Sequence, residues 1–307
     1  MDALETKKPP LVGGGEESER GSYSVANSIE SIAQPVTYIT VLTNQKPVNK
    51  HFFLNADGKL ESKSATFFEG TARCVRVDGL EDVQALINGL NPNQCIVLGY
   101  HAGAPVDEEY TILTVNNLNQ LIKSKAVEPV SESNGVFHRF TDSATRTGLV
   151  TTRTKDKMVQ SKVILFDYDG FGAEELGITD FDSFSEHMAK IFPDFNECEA
   201  FVVPSSSSKI VANDRDAGAG GNNAKFHCYM MVEDATDLTD LSYRVLTTAT
   251  EAGLGGYIES KGGAPLPRCI VDCSVFSPER IIYEADPTTD SLDHHIVESK
   301  GEIYEGS

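Results

Sequence analysis

Two aspartates separated by one residue, Asp167 and Asp169, follow the apolar run Val163-Ile-Leu-Phe166. Side chains alternate between the two faces of a strand, so both carboxylates are expected on one face. Asp272 follows a second apolar run. Carboxylates at short range repel one another unless a cation lies between them, and hard oxygen ligands suit Mg²⁺ or Mn²⁺. The spacing therefore predicts a divalent metal site, although an Asp-x-Asp pair is by itself a weak signal.

Groups that can donate hydrogen bonds to phosphate accompany these acids. His227 and Lys225 share one face of a predicted strand, and a serine run ends the strand before it. Hydroxyls and amides in such a turn can cradle phosphate, and an arginine can bind it with two hydrogen bonds. Each group also has an ordinary interpretation: a core histidine, a polar loop or a surface arginine. The predicted nucleotide-binding residues are His227, Lys225, Ser205, Ser207 and Arg280.

The elements around these residues are predicted in the order β-α-β-β-α-β, the ferredoxin-like pattern. The predicted strands are 161–169, 199–203, 224–232 and 268–276, and the predicted helices are 181–192 and 238–252. In this topology strands one and three are central neighbours and strand four lies beside strand one. The helices are expected to cover the apolar face of the sheet. The three acids and His227 would then meet on the other face, as an open cleft, because buried charges are costly.

Composition divides the chain into four predicted segments. Residues 1–34 mix Pro, Gly, Glu and Ser and are predicted to be a disordered tail. Residues 35–157 are predicted to form an N-terminal α/β subdomain, residues 158–290 carry the candidate catalytic groups, and residues 291–307 are an extension or linker. Within the second segment the pattern predicts strands at 35–42 and 95–98 and helices at 80–90 and 115–123.

Charge and composition exclude several classes of protein. The 26 Lys and Arg against 46 Asp and Glu give a net charge of −20, which argues against a histone-like coat of positive charge. A local basic stretch remains, and it is the candidate template contact: Lys123, Lys125, Arg139, Arg146, Arg153, Lys155, Lys157 and Lys162. No CxxC pair occurs among the six cysteines, which excludes a paired-CxxC zinc ribbon. No apolar run approaches the length of a spanning helix and the N-terminus lacks a signal core, so a cytoplasmic protein without a membrane partner is expected.

Three motifs in the second half resemble those of the archaeo-eukaryotic primase superfamily, and most of all the primase-polymerase domains of phages, plasmids and integrated elements. The motifs are VILFDYD (163–169), the PSSSS and KFHCYM pair (204–230), and CIVD (269–272) followed by Arg280. Upstream segments add to the likeness: Arg153-Thr-Lys-Asp156, Gly70-Thr-Ala72 and 90–99. The resemblance covers about residues 36 to 290.

The resemblance implies an RRM-like catalytic subdomain packed against an N-terminal α/β subdomain, with the active cleft between them. It implies template-directed synthesis of primers or DNA from NTPs or dNTPs on single-stranded DNA, by a two-metal mechanism, and a replicative helicase as a possible partner. Asp167 and Asp169 would be the metal ligands of motif I, Asp272 the carboxylate of motif III, and His227 the phosphate contact of motif II. The sequence departs from the compact Ser-x-His form of motif II, because a long insertion separates its serines from His227.

Two other classes of function fit parts of the sequence. FDYDG (166–170) resembles the nucleophile motif of haloacid-dehalogenase-like phosphatases, in which Asp167 would attack phosphorus and Asp169 would act as acid and base. That family needs a late acidic pair and a parallel sheet, whereas Asp272 stands alone and strands two and three are predicted as a hairpin. A non-catalytic RRM-like nucleic-acid-binding module is the second alternative. It would place stacking aromatics on the open face, where the sequence instead offers carboxylates.

Overall fold

The computed structural model describes residues 36–142, 148–213, 225–235, 238, 240–260, 262–291, 293–297 and 300–306. The predicted tail at 1–34 and Arg146 lie outside these residues, as does most of the insertion before Lys225. The described chain belongs to one compact unit, Ala33–Ser307. No helix within the described ranges combines the length and the apolar character needed to cross a membrane.

The protein is an α+β chain with many strands and few helices. The strands up to residue 160 are β1 (Thr37–Thr43), β2 (His51–Leu54), β3 (Leu60–Lys63), β4 (Gly70–Val77), β5 (Gln94–Val97), β6 (Gly99–His101), β7 (Glu109–Leu113), β8 (Val127–Pro129), β9 (His138–Phe140), β10 (Leu149–Thr152) and β11 (Met158–Gln160). The later strands are β12 (Val163–Tyr168), β13 (Ala200–Pro204), β14 (Ile210–Ala212), β15 (Phe226–Met231), β16 (Gly255–Glu259), β17 (Pro265–Cys269), β18 (Thr288–Thr289), β19 (His294–Ile296) and β20 (Glu302–Tyr304). The helices are α1 (Leu80–Asn88), α2 (Val115–Lys123), α3 (Ala173–Leu176), α4 (Phe181–Met188) and α5 (Leu241–Glu251).

A seven-stranded sheet organises the first half of the described chain, in the order β5-β1-β4-β7-β10-β9-β8. All neighbours are antiparallel except β7 and β10, which are parallel. The strands predicted at 35–42 and 95–98 are β1 and β5, and the helices predicted at 80–90 and 115–123 are α1 and α2, so these predictions are confirmed within a few residues. Thr114 caps α2 by accepting a hydrogen bond from the Asn117 amide at 3.3 Å.

The sheet that carries the acids has the order β12-β15-β13-β20, and every pair is antiparallel. The predicted neighbours, strands one and three, are therefore β12 and β15. Asp180 is the N-cap of helix α4, and the side chains of Asp180 and Ser183 form a reciprocal capping box that fixes where the helix begins. The ring of Phe184 on this helix packs against Tyr168, with 5.2 Å between centroids, which confirms that the apolar face of β12 is the one that α4 covers.

The predicted fourth strand, 268–276, is wrong in its extent and in its predicted pairing with strand one. Strand β17 ends at Cys269 and forms a hairpin with β16, and Cys273–Phe276 is a 3₁₀ helix. The Asp272 side chain accepts a hydrogen bond from the Ser274 amide at 2.9 Å, and such local bonds compete with sheet pairing. The Asp272 amide still donates to the Asp167 carbonyl at 2.9 Å, so Asp272 lies beside β12 as expected.

The outer strand of this sheet comes from the segment predicted as an extension or linker. Strand β20 pairs with β13, with Phe201 opposite Ile303. Gly301 lies directly before β20, where a Cβ would approach the Phe201 ring at 2.4 Å. Strand β20 therefore extends the sheet at the edge that is farthest from β12 and Asp272.

One hydrophobic core joins the two halves of the described chain. It includes Leu80 and Val83 of α1 together with Leu165 of β12 and Tyr229 of β15. Leu165 and Tyr229 share their sheet face with the acids, yet both are fully buried. The face that was predicted to be open is therefore covered over this part, and it opens to solvent only toward the end of β12 at Asp167.

Candidate metal and nucleotide site

The three predicted acids converge. Asp167 is near the end of β12, Asp169 follows it by two residues, and Asp272 begins the 3₁₀ helix beside it. One carboxylate oxygen from each lies within 4.8 Å of the other two. Gly170 adopts a φ of +84°, a left-handed conformation that glycine tolerates and that turns the chain directly after Asp169.

His227 lies opposite Asp167 in the β12–β15 ladder and is nearly fully buried. Its Nε2 is 3.4 Å from Asp167 Oδ1, and its Nδ1 makes a short hydrogen bond with Glu284 Oε1. The hydroxyl of Tyr229 donates to the same oxygen of Glu284. The imidazole is therefore held between two carboxylates, one of which belongs to the predicted metal site.

The proximity of these charges shifts the pKa values of the group. Burial raises the pKa of Asp167, but the neighbouring His227 and the charges of Lys50 and Arg280 together lower it by more, so the net pKa is below the ordinary value. Burial also lowers the pKa of His227, and the carboxylates of Glu284 and Asp167 outweigh it, so this pKa is raised. For Asp169, burial and then the charges of Asp167 and Asp272 raise the pKa. The carboxylates of this group thus outnumber its one cation, the His227 imidazolium.

The acids open into a cleft of about 740 Å³, here called the carboxylate cleft. The cations on its walls are Lys50, Arg153 and Arg280. Arg153 is anchored by donating from Nη1 to the backbone carbonyl of Glu279. Acidic and cationic side chains line the same cleft, and such a cleft can accept a polyphosphate together with its bound metal ions.

The donor set fits a hard divalent cation. Asp167 Oδ1 is buried, and although His227 Nε2 lies 3.4 Å away, it accepts no hydrogen bond in the described chain. Buried polar atoms are nearly always satisfied, so such an oxygen inside a carboxylate cluster suits a cation. The three ligands are all oxygens, which suits Mg²⁺ or Mn²⁺ better than zinc. Asp167, Asp169 and Asp272 are the residues that would hold such an ion.

The structure does not bring all the predicted nucleotide-binding residues into this cleft. Lys225 packs near Gly170 but lines a separate depression of about 430 Å³. Ser205 and Ser207 bond to each other at 3.0 Å between hydroxyl oxygens, and neither lines the carboxylate cleft in the described chain. The Ser205 amide donates to the Lys225 carbonyl at 2.9 Å. The hydroxyls of these serines are thus satisfied within the turn after β13, and the Ser205 amide holds this turn against the residue before β15.

Sequence reasoning missed Lys50 and Glu284. Lys50 belongs to the loop between β1 and β2 and reaches the cleft from the opposite half of the chain. Glu284 follows Tyr283 in a short apolar segment, and it is 57 residues from His227. Neither residue lies in a motif, so no local pattern marks them.

Comparisons with protein-family models, with curated proteins and with solved structures gave no match.

Proposed function

We propose that this chain is a metal-dependent nucleotidyltransferase of the primase or primase-polymerase type. It would synthesise primers or DNA from NTPs or dNTPs on a single-stranded template, in the replication of a mobile element. The observation that carries the proposal is the convergence of the Asp167, Asp169 and Asp272 carboxylates, one oxygen of each within 4.8 Å of the others. Phosphoryl transfer depends on positioning and charge neutralisation more than on a protein nucleophile.

The residues of the cleft divide into two roles. Asp167, Asp169 and Asp272 would hold the divalent cations, which would supply charge neutralisation and activation of the attacking hydroxyl. Lys50, Arg153 and Arg280 line the same cleft and would bind the phosphate oxygens of the incoming nucleotide. Their guanidinium and ammonium groups also hold charge that develops on the departing pyrophosphate.

The sheet supports an RRM-like arrangement for the catalytic part. Strands β12, β15 and β13 are antiparallel, and α4 packs on the face opposite the acids. The same pairing weakens the phosphatase alternative, since that family needs a parallel sheet around its nucleophile. The acid pair that such a phosphatase places late in the chain also has no counterpart beside Asp272, whose neighbours are Val271 and Cys273.

A path for the template leads from the cleft to the basic stretch. Ser277 lines the carboxylate cleft and also a groove of about 200 Å³. Lys155 lies in this groove together with Gln160 and Phe276. The Lys155 ammonium and the Gln160 amide can contact the backbone of a single strand, whereas Phe276 is buried. The groove is thus the part of the basic stretch that we assign to the template.

The test is primer synthesis by the purified protein. The protein is incubated with single-stranded DNA, labelled NTPs or dNTPs and Mn²⁺, and the products are resolved by length. Labelled products of defined length are expected, and Asp167→Ala is expected to abolish them. Asp57→Asn is the matched control, because Asp57 is an exposed carboxylate in the turn between β2 and β3.

Three results would contradict the proposal, two by supporting another function and one by showing that the proposed site is not responsible. Single-stranded DNA binding that survives Asp167→Ala, with no product on any template, would support the binding module. Mg²⁺-dependent cleavage of p-nitrophenyl phosphate without template dependence would support the phosphatase. Product formation that Asp167→Ala does not reduce would show that another centre is responsible.

A further inference from the structure

Glu284 is a carboxylate with almost no contact with solvent. It is 4% exposed, and its Oε1 accepts hydrogen bonds from both His227 Nδ1 and the Tyr229 hydroxyl. Burying a charge without partners is costly, so a buried glutamate that is kept charged needs a cation or several donors. Burial raises the pKa of Glu284, but His227, the Tyr229 hydroxyl and the charge of Lys209 together lower it by more, so the net pKa is below the ordinary value.

The arrangement fixes the direction of the imidazole. The bond at Nδ1 holds one side of the ring, and Nε2 then faces Asp167 Oδ1 at 3.4 Å. A ring held at one nitrogen cannot turn its other nitrogen away without breaking that bond. In metal sites, outer groups of this kind set the orientation of the ligands that bind the ion.

We propose that Glu284 is a positioning residue that acts through His227 to hold the Asp167 carboxylate in the orientation that binds a divalent cation. The inference rests on the metal site of the proposed function. It also changes the role of His227, because Nδ1 bonds to Glu284 and Nε2 lies 3.4 Å from Asp167, so the ring faces a metal ligand. His227 orients a metal ligand, and phosphate binding falls to Lys50, Arg153 and Arg280.

Mn²⁺ binding to the metal-free full chain tests this without nucleotide. Titration followed by electron paramagnetic resonance gives the Kd for the wild type, Glu284→Gln, His227→Asn and the double variant. Each single variant is expected to weaken binding by about 10-fold or more, as for other groups behind metal ligands. The double variant is expected to bind no more weakly than the poorer single variant, because both changes interrupt the same chain of contacts.

Asp286→Asn is the matched control, since Asp286 is a carboxylate two residues away that pairs with Lys209 outside the cleft. Its Kd for Mn²⁺ is expected to match the wild type. A folded Glu284→Gln protein with unchanged Kd would overturn the proposal, and so would losses that multiply in the double variant. Thermal unfolding of each variant establishes that it is folded.

A measurement on the wild type tests the proposal even if the variants fail to fold. In protein labelled with ¹⁵N-histidine, the Nδ1 proton of His227 is expected as a far-downfield resonance that exchanges slowly with water, because Glu284 accepts it in a buried site. Its absence from the wild-type spectrum would overturn the proposal whatever the variants do.

Primer synthesis measured in parallel separates this inference from the proposed function. Independent losses of Mn²⁺ affinity in a protein that makes primers would reject the role of Glu284 and leave the function standing. Coupled losses in a protein that makes no product would support the role of Glu284 and reject the function. No saturable Mn²⁺ binding to the wild type would reject both.

Discussion

At the scale of single residues, Asp169 is placed against the stability of the metal-free fold. Burial and then the charges of Asp167 and Asp272 raise its pKa, so the ionised form of Asp169 is unfavourable without a cation. Active sites often hold charges in arrangements that function requires and that folding does not favour. Removing one such charge is therefore expected to stabilise the metal-free fold and to weaken metal binding.

Asp169→Asn is expected to raise the melting temperature of the EDTA-treated protein, because it removes repulsion from Asp167 and Asp272. The same variant is expected to lose the rise in melting temperature that Mn²⁺ gives the wild type, and to bind Mn²⁺ at least about 10-fold more weakly. Thermal unfolding with and without Mn²⁺ measures both effects. Asp57→Asn should change neither, and a lower melting temperature for Asp169→Asn in EDTA would show that this carboxylate stabilises the fold.

At the scale of elements, close backbone contact fixes one wall of the cleft. The amide of Gly99 in β6 donates to the Pro278 carbonyl at 2.9 Å, and a Cβ at this position would lie 2.6 Å from Pro278 Cβ. Pro278 precedes Arg280, which lines the cleft. The absence of a side chain at residue 99 thus allows the segment with Arg280 to pack on the first half of the chain.

Gly99→Ala is expected to lower the free energy of unfolding by about 1–3 kcal/mol, the usual cost of inserting a methyl group into packed structure. Urea denaturation measures it. Gly262→Ala is the control, because a Cβ there meets nothing nearer than Ser260 Oγ at 3.9 Å. Equal stability of the two variants would mean that the Pro278 segment yields without cost.

A buried histidine ties β6 to the seven-stranded sheet. His101 Nε2 is 3.0 Å from the Thr152 carbonyl, and Nδ1 is 2.9 Å from the Tyr110 hydroxyl. A carbonyl only accepts, so Nε2 carries the proton and Nδ1 accepts from Tyr110, which describes a neutral imidazole. Burial lowers the pKa of His101 to about 4.

Because the unfolded His101 titrates near 6.5 and the folded one near 4, the unfolded chain binds the extra proton between these values. The contribution of His101 is therefore complete above about pH 6.5 and is lost as the pH falls toward 4. The loss between pH 7 and 5 is expected to be roughly 1–2 kcal/mol. Urea denaturation at both pH values measures it, and His101→Gln should show a smaller change. The same pH dependence in both proteins would assign the titration to other groups.

At the scale of the whole molecule, the charge is unevenly distributed. The net charge is −20, yet three cations face the carboxylate cleft and Lys155 lies in the groove that shares Ser277 with it. A polyanion approaching the acidic surface is repelled, and a local basic path decides where it can bind. Binding of a single strand is therefore expected to depend on few phosphate contacts and to have a correspondingly shallow salt dependence.

Lys155→Gln is expected to weaken single-stranded DNA binding and to reduce the slope of log K against log salt by about 0.7, the value for one phosphate contact on a single strand. Fluorescence anisotropy across a salt series measures the slope. Lys190→Gln is the control, since Lys190 follows α4, on the sheet face away from the acids, and contacts His187. An unchanged slope for Lys155→Gln would exclude this groove as the template path.

Local physics made much of the candidate site predictable from the sequence. The alternation of side chains along β12 places Asp167 and Asp169 together, and the same rule puts His227 on their side of the sheet. The helices could be recognised because their periodicity, caps and flanking prolines are local signals. The fourth strand could not, since the turn bond from Ser274 to Asp272 competes with pairing that the apolar pattern alone would favour.

The acids, their common face and most of the elements that carry them could be predicted without coordinates, because strand alternation and helix periodicity depend on near neighbours. The residues that surround them depend on how distant segments pack. Lys50 enters the cleft from a loop in the first half, Arg153 bonds to Glu279 across 126 residues, and Glu284 holds His227 across 57. Contacts of this kind form when distant segments share one core, and no spacing along the chain encodes them.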